Sequence, residues 1–253
     1  MPWPDFTELT FGFAFLRELE QNYVLGGKFP KAPDFISQGA EATKGYDVEV
    51  TLDGSTPLFI QLKRSYVLVR NSAREIQDGL YAAPKVYRMN LHKNGKYRQH
   101  KALQGLEALG NAVFYVTSQI HTPKEFSDAY SAGTVVSQAS AMFAPNEIIL
   151  PDDTKDHHVS FKPNDSFGYV YSKEPHPFER KFQSFDSWLP VVGQRAQSAI
   201  ENRQLLEKTV EFLKKKRRPR DPVLQMIRDQ PLEAQAAILA YFILDAQLTF
   251  VKT

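Results

Sequence analysis

Two residues on one short apolar stretch carry most of the chemistry this sequence offers. Residues 58–65 read LFIQLKRS. On an extended strand side chains alternate faces, so Leu58, Ile60 and Leu62 point one way while Phe59, Gln61 and Lys63 point the other. An amide and an ammonium on so apolar a strand need polar company, because a buried unpaired lysine is costly. Upstream, GYDVEVTL puts Asp47 and Glu49 on one face of another strand, and Gln61 follows Asp47 by 14 residues. An antiparallel hairpin across the DGSTP turn would gather two carboxylates, an amide oxygen and an ammonium in one small volume. Oxygen donors of this kind suit Mg2+ (or Mn2+), with the Leu62 carbonyl as a further neutral donor. A metal so held acidifies its bound water and neutralises charge on a phosphoryl oxygen. Lys63 would stabilise the hydroxide or the scissile phosphate.

The order of these residues resembles the PD-(D/E)XK nuclease superfamily, the fold of many restriction and repair endonucleases. The resemblance rests on the acid in GYDVEV, the QLK tripeptide on the next strand and Glu8 on the preceding helix, and it spans roughly residues 5–120. It implies an α/β, restriction-endonuclease-like mixed sheet flanked by helices. It further implies that Asp47, Gln61 and Glu8 hold the metal and that Lys63 acts on the nucleophile, the four together forming the catalytic set. Gln61 departs from the commoner glutamate, and a QXK form occurs among modification-dependent restriction and defence nucleases. Pro33 and Asp34 sit well before Asp47, so the GYD aspartate is the better match, while Glu41 and Glu49 remain rival ligands. The implied activity is metal-dependent endonucleolytic hydrolysis of DNA phosphodiester bonds, with prokaryotic defence or restriction as its setting. The alternative is a non-catalytic protein on the same fold that binds nucleic acid or a partner. DNA is expected before RNA, and a homodimer or a partner subunit is left open.

The elements that must position these residues follow from periodicity. Residues 7–23 place Leu9, Phe13, Leu16 and Leu19 at helical spacing despite Gly12. After the two strands the pattern predicts a helix over 72–81, a basic connector through Lys96, and a helix over 98–109. NAVFYVTS then reads as a central strand, continuously apolar between two helical segments, the second being PKEFSDAY. Further strands are expected at 147–150, 157–161 and 167–171, and after Pro177 the pattern turns helical in three segments, the last running from 231 to 250. The composition shift near residue 176 divides the chain into a nuclease-like domain, 1–176, and a helical C-terminal region, 177–253.

Composition bounds the rest. The chain has 253 residues and no cysteine, which excludes disulfides and thiol catalysis and fits a reducing compartment. No apolar run approaches a membrane span, and Asp5 and Glu8 replace the basic start of a signal peptide, so a cytoplasmic protein without membrane contact is expected. The net charge of +2 hides strong local bias. From Lys63 to Lys101 ten Lys and Arg face only Glu75 and Asp78, and six of the seven residues from Lys214 to Arg220 are basic. Lys214, Lys215, Lys216, Arg217 and Arg218 are thus candidates for contact with nucleic-acid phosphates, against the simpler reading of a solvated helix end. No Walker loop, dinucleotide fingerprint or nucleophile elbow is present.

Overall fold

The computed structural model describes residues 4–23, 55–82, 85–91, 94–151, 155–172, 174–188, 199–217, 221–244 and 247–252. Asp47, Glu41, Glu49 and Arg218 lie outside these residues, as does the strand expected at 46–52. Helix α1 (Glu8–Tyr23) starts behind Thr7, whose hydroxyl accepts from the Thr10 N–H at 3.0 Å and so caps the first turn. Its buried stripe is Phe11, Phe15, Leu16 and Leu19, whereas Leu9 and Phe13 of the expected apolar face are exposed. Aromatic residues occur on more than one side of this helix, so periodicity alone does not select the core face. Gly12 has a packing reason: a Cβ there would stand 2.6 Å from Leu62 Cδ1.

Strands β1 (Ser55–Lys63) and β2 (Ser65–Leu68) are followed by a short helix α2 (Arg74–Gln77), strand β3 (Val86–Leu91) and helix α3 (Asn94–Ala108). Then come β4 (Ala112–Ser118), α4 (Pro123–Ala132), β5 (Ser140–Phe143), β6 (His157–Phe161), β7 (Phe167–Tyr171) and β8 (Pro175–Glu179). Helices α5 (Ala199–Lys214), α6 (Pro222–Met226) and α7 (Leu232–Leu244) precede the last strand, β9 (Gln247–Lys252). The mixed α/β fold has a four-stranded sheet in the order β5-β4-β1-β9 and a five-stranded sheet in the order β2-β3-β6-β7-β8. No helix among the described residues is long and apolar enough to cross a membrane.

Several expectations are corrected. The described neighbours of β1 are β4 and β9, and β9 pairs antiparallel with it from Ser55↔Lys252 to Ile60↔Gln247. The helix expected to run to residue 250 stops at Leu244, and QLTFVK is extended: its β-branched and aromatic residues prefer a pleated neighbour, unlike the alanine- and leucine-rich segment before it. The helical reading after Pro177 meets a strand, β8, and the connector before Lys96 contains β3. Residues 145–147 form a 3-10 turn, and the strand of this region is β5, at 140–143.

Two compact units follow spatial contact, whereas the boundary at 176 follows composition: one comprises 1–18, 62–101 and 114–189, the other 19–61, 102–113 and 190–253. The first holds the whole five-stranded sheet. Its core packs Phe161 against Tyr87 and Phe143, with ring centroids 5.7 and 5.0 Å apart. Arg180 is buried there, its guanidinium giving hydrogen bonds to the carbonyls of Asp165 and Gln183 and lying over the Phe143 ring at 4.7 Å. At the margin of this sheet β8 pairs with β7 from Phe167↔Glu179 to Tyr171↔Pro175, and the Arg180 N–H continues the ladder to the Ser166 carbonyl at 2.7 Å. In the second unit α5 buries Leu205, Leu206, Val210 and Leu213, and Phe212 packs against the bare backbone of Gly105.

Candidate functional site at the end of strand β1

Burial singles out the QLK tripeptide. Gln61 is 0% exposed and Lys63 6%, while Leu62 between them is half-buried. Neither the amide oxygen nor the amide nitrogen of Gln61 has a hydrogen-bond partner. Leaving such atoms unmade costs ~1–3 kcal/mol each, so a polar group persists there at a measurable expense. The register with β9 ends at Ile60↔Gln247, and Gln61 to Lys63 extend past it.

Helix α1 packs on the Leu62 side of the strand, since Gly12 lies against Leu62. Alternation then directs Lys63 to the opposite face. The segment leading into α1 nonetheless comes close to the end of β4: the Asp5 N–H donates to the His121 carbonyl at 3.1 Å, and His121 follows β4 closely. Glu8, in the first turn of α1, is exposed. The Ser65 hydroxyl donates to the Ser118 carbonyl and lies 3.2 Å from the Ser118 hydroxyl, so the chain just after Lys63 is pinned to the end of β4.

The basic run is partly committed to the protein itself. Lys214 Nζ donates to Gln235 Oε1 at 2.8 Å, Lys216 lies over the Phe212 ring at 4.7 Å, and Arg217 pairs with Asp221 at 3.2 Å while covering Phe242. Lys215 is exposed.

A second polar cluster gives no periodic signal in the sequence. Glu75 of α2 is 0% exposed and accepts from Arg88 Nε at 2.8 Å, from both Arg88 Nη2 contacts at 2.5 and 2.6 Å, and from His158 Nε2 at 3.1 Å. Burial alone would raise its pKa, but the hydrogen bonds from His158 and Arg88 outweigh that and hold it at about 2. His158 stacks on Tyr171 with ring centroids 5.2 Å apart, and Arg88 covers the Tyr66 ring. The cluster clamps a short helix to the five-stranded sheet. Its members come from α2, β3 and β6, and only the registers Tyr66↔Arg88 and Asn90↔His158 bring them together.

Three histidines, His100, His157 and His158, pack against tyrosine rings. His100 is buried, with Nδ1 3.0 Å from the Tyr115 hydroxyl and Nε2 2.9 Å from the Ile148 carbonyl, and burial pushes its pKa down to about 4. Nε2 must carry the proton to meet a carbonyl, so Nδ1 accepts from Tyr115. His157 and His158 face opposite ways, as adjacent strand residues should: His157 packs on Tyr97 at 5.0 Å and His158 on Tyr171. Among the described residues no three of His, Asp or Glu form a group able to hold a metal. No family model, no curated protein and no solved structure matches the chain.

Proposed function

We propose that this chain is a divalent-metal-dependent nuclease of the PD-(D/E)XK type in its QXK form, hydrolysing DNA phosphodiester bonds. The observation that carries the reading is the Gln61 amide, fully buried beside Lys63 with neither polar atom partnered. A hard-oxygen donor with no protein partner fits the chemistry of a divalent cation site. Asp47 and Glu8 would supply the carboxylates and Gln61 Oε1 and the Leu62 carbonyl the neutral oxygens. A bound Mg2+ or Mn2+ would acidify water and neutralise phosphoryl charge. The work of the protein is then to hold Lys63 where its ammonium stabilises charge that grows in the transition state, with little gain in the ground state. Two further observations support the reading: α3 lies between β1 and β4 in the chain while those strands are neighbours in the sheet, and the segment leading into α1 is bonded through Asp5 to His121, shortly after the end of β4.

The test is incubation of the purified protein with supercoiled plasmid, single-stranded DNA and RNA, in magnesium, manganese or chelator. Cleavage of DNA with metal and none with chelator is expected. Lys63→Ala should abolish cleavage and leave folding and nucleic-acid binding intact. Wild-type protein that cuts none of the three substrates would overturn the nuclease, and undiminished turnover in Lys63→Ala would overturn the role of the lysine.

A further inference from the structure

Glycine is among the poorest helix formers and alanine the best, so a glycine inside a helix needs a reason. Gly12 is buried in the second turn of α1, and its reason is Leu62: a Cβ at residue 12 would stand 2.6 Å from Leu62 Cδ1 and 3.9 Å from Leu62 Cγ. Carbon atoms rest at about 3.5–4.0 Å, so a methyl there forces a parting of about 1 Å, through Leu62, through α1 or through both. The bare backbone at 12 thus lets α1 lie closer to the QLK tripeptide than a side chain would allow. Two anchors give the direction from this contact. Followed from Gly12 toward its N-terminus, α1 leads through Glu8 to Asp5, whose N–H is bonded to the His121 carbonyl shortly past β4. Followed forward from Leu62, the chain reaches Ser65, whose hydroxyl is bonded to Ser118, the last residue of β4. Both segments run from one contact to one destination. Glu8 lies between them, one helical turn and about 6 Å before Gly12 on the same face of α1, on the side where β1 ends.

We propose that Gly12 is a positioning residue for the metal site of the nuclease reading, on which this inference rests: the missing side chain sets the gap between α1 and β1, and with it the placement of the Glu8 carboxylate relative to the Leu62 carbonyl. A small divalent cation is sensitive to such a gap. Mg2+ demands near-ideal octahedral geometry with oxygens at about 2.0–2.1 Å, so a displacement of about 1 Å between two donors takes one of them out of the shell.

Gly12→Ala adds one methyl and improves helix propensity, so in chelator its stability to urea should stay close to that of wild type. Its Mn2+ affinity, read by calorimetric titration, should fall about 10-fold, the low end of the loss seen when the support of a metal ligand is removed, and cleavage of plasmid DNA should fall with it. Leu62→Val deletes Cδ1, keeps the carbonyl and leaves the Cγ position at 3.9 Å, an ordinary contact. Gly12→Ala/Leu62→Val should therefore regain most of the lost affinity, the non-additivity expected of touching residues. Gly12→Ala with wild-type Mn2+ affinity overturns the inference and leaves the nuclease standing, and so does a double variant that binds no better than Gly12→Ala. Gly12→Ala that is unfolded or much weakened in chelator makes Gly12 a packing residue and overturns the inference as well. A wild-type protein that binds no Mn2+ and cleaves no nucleic acid overturns both.

Discussion

Replacing Gln61 with methionine separates the thermodynamic consequence of the buried amide from its chemical one. The side chain is wholly enclosed and neither of its polar atoms is bonded. Each such atom costs ~1–3 kcal/mol, and a flexible thioether of similar length refills the space for less than about 1.5 kcal/mol. In chelator the two unmet atoms together outweigh that repacking cost, and even the low end of the range favours Gln61→Met, with ~1.5 kcal/mol a conservative figure. With a urea slope of about 3 kcal/mol per molar, suited to a chain of this size, the midpoint should rise by about 0.5 M. The stabilising effect of metal should move the other way. At 100 times its dissociation constant a bound cation stabilises wild-type protein by ~2.7 kcal/mol, and the variant should lose much of that gain together with cleavage. Urea titration followed by tryptophan fluorescence, with manganese or chelator, reads both effects. A variant less stable than wild type in chelator, yet equally stabilised by manganese, would refute the reasoning: Gln61 would then be a packing residue. Gln61→Glu should keep or tighten metal affinity, since it adds a carboxylate where a neutral oxygen stood.

Three other outcomes follow from particular contacts. Glu75→Gln leaves Arg88 buried against a neutral amide and should cost ~3–5 kcal/mol of stability; a change below about 1 kcal/mol in thermal unfolding would show that the clamp on α2 is dispensable. His100 is held at about 4 when folded against 6.5 when unfolded, so its contribution is full above pH 6.5 and is lost as pH falls toward 4, amounting to ~3 kcal/mol. Glu75, held at about 2, adds a second loss below pH 4.5, and pH-dependent denaturation of wild type against His100→Gln should show the upper window flatten. In the basic run, Lys215→Gln should flatten the slope of log affinity against log salt by about 0.9 on duplex DNA, and Lys214→Gln by less because Gln235 already holds that lysine; anisotropy at several salt concentrations distinguishes them, and an unchanged slope in Lys215→Gln returns the run to a solvated helix end.

What the sequence made legible was local. Helix α1, the strand of residues 58–63, the apolar β4 and α4 were readable because each carries its own local pattern. The pairing of β1 with β9 was not, since it joins residues about 190 positions apart and no local pattern ranks distant edges. The apolar face of α1 was misjudged for a related reason: Leu9 and Phe13 fit the period as well as Phe11 and Phe15 do, and tertiary packing chose between them. At the site, alternation predicted that Gln61 and Lys63 share a face, but burial decides which of many polar pairs matters. The buried, unmet polar atoms of Thr117 and Gln119 escaped notice because a threonine and a glutamine where an apolar strand ends look like its solvated exit. Glu75, Arg88 and His158 escaped because only register unites them.

The two prolines of β8 have a consequence for self-association. Pro177 stands opposite Tyr169 and Pro175 opposite Tyr171, while the Arg180 N–H bonds across to Ser166. Alternation along an antiparallel ladder therefore turns residues 175, 177 and 179 outward, and at two of the three there is no N–H to present. The outer margin of the five-stranded sheet offers carbonyls in succession but only the Glu179 amide as a donor, beside a carboxylate. A second strand arriving there, from another copy or an extended peptide, would find two of the three carbonyls that it turns toward residues 175, 177 and 179 unanswered. Growth of the sheet by lateral addition is blocked at this side by the absence of two hydrogens, with no covering element needed.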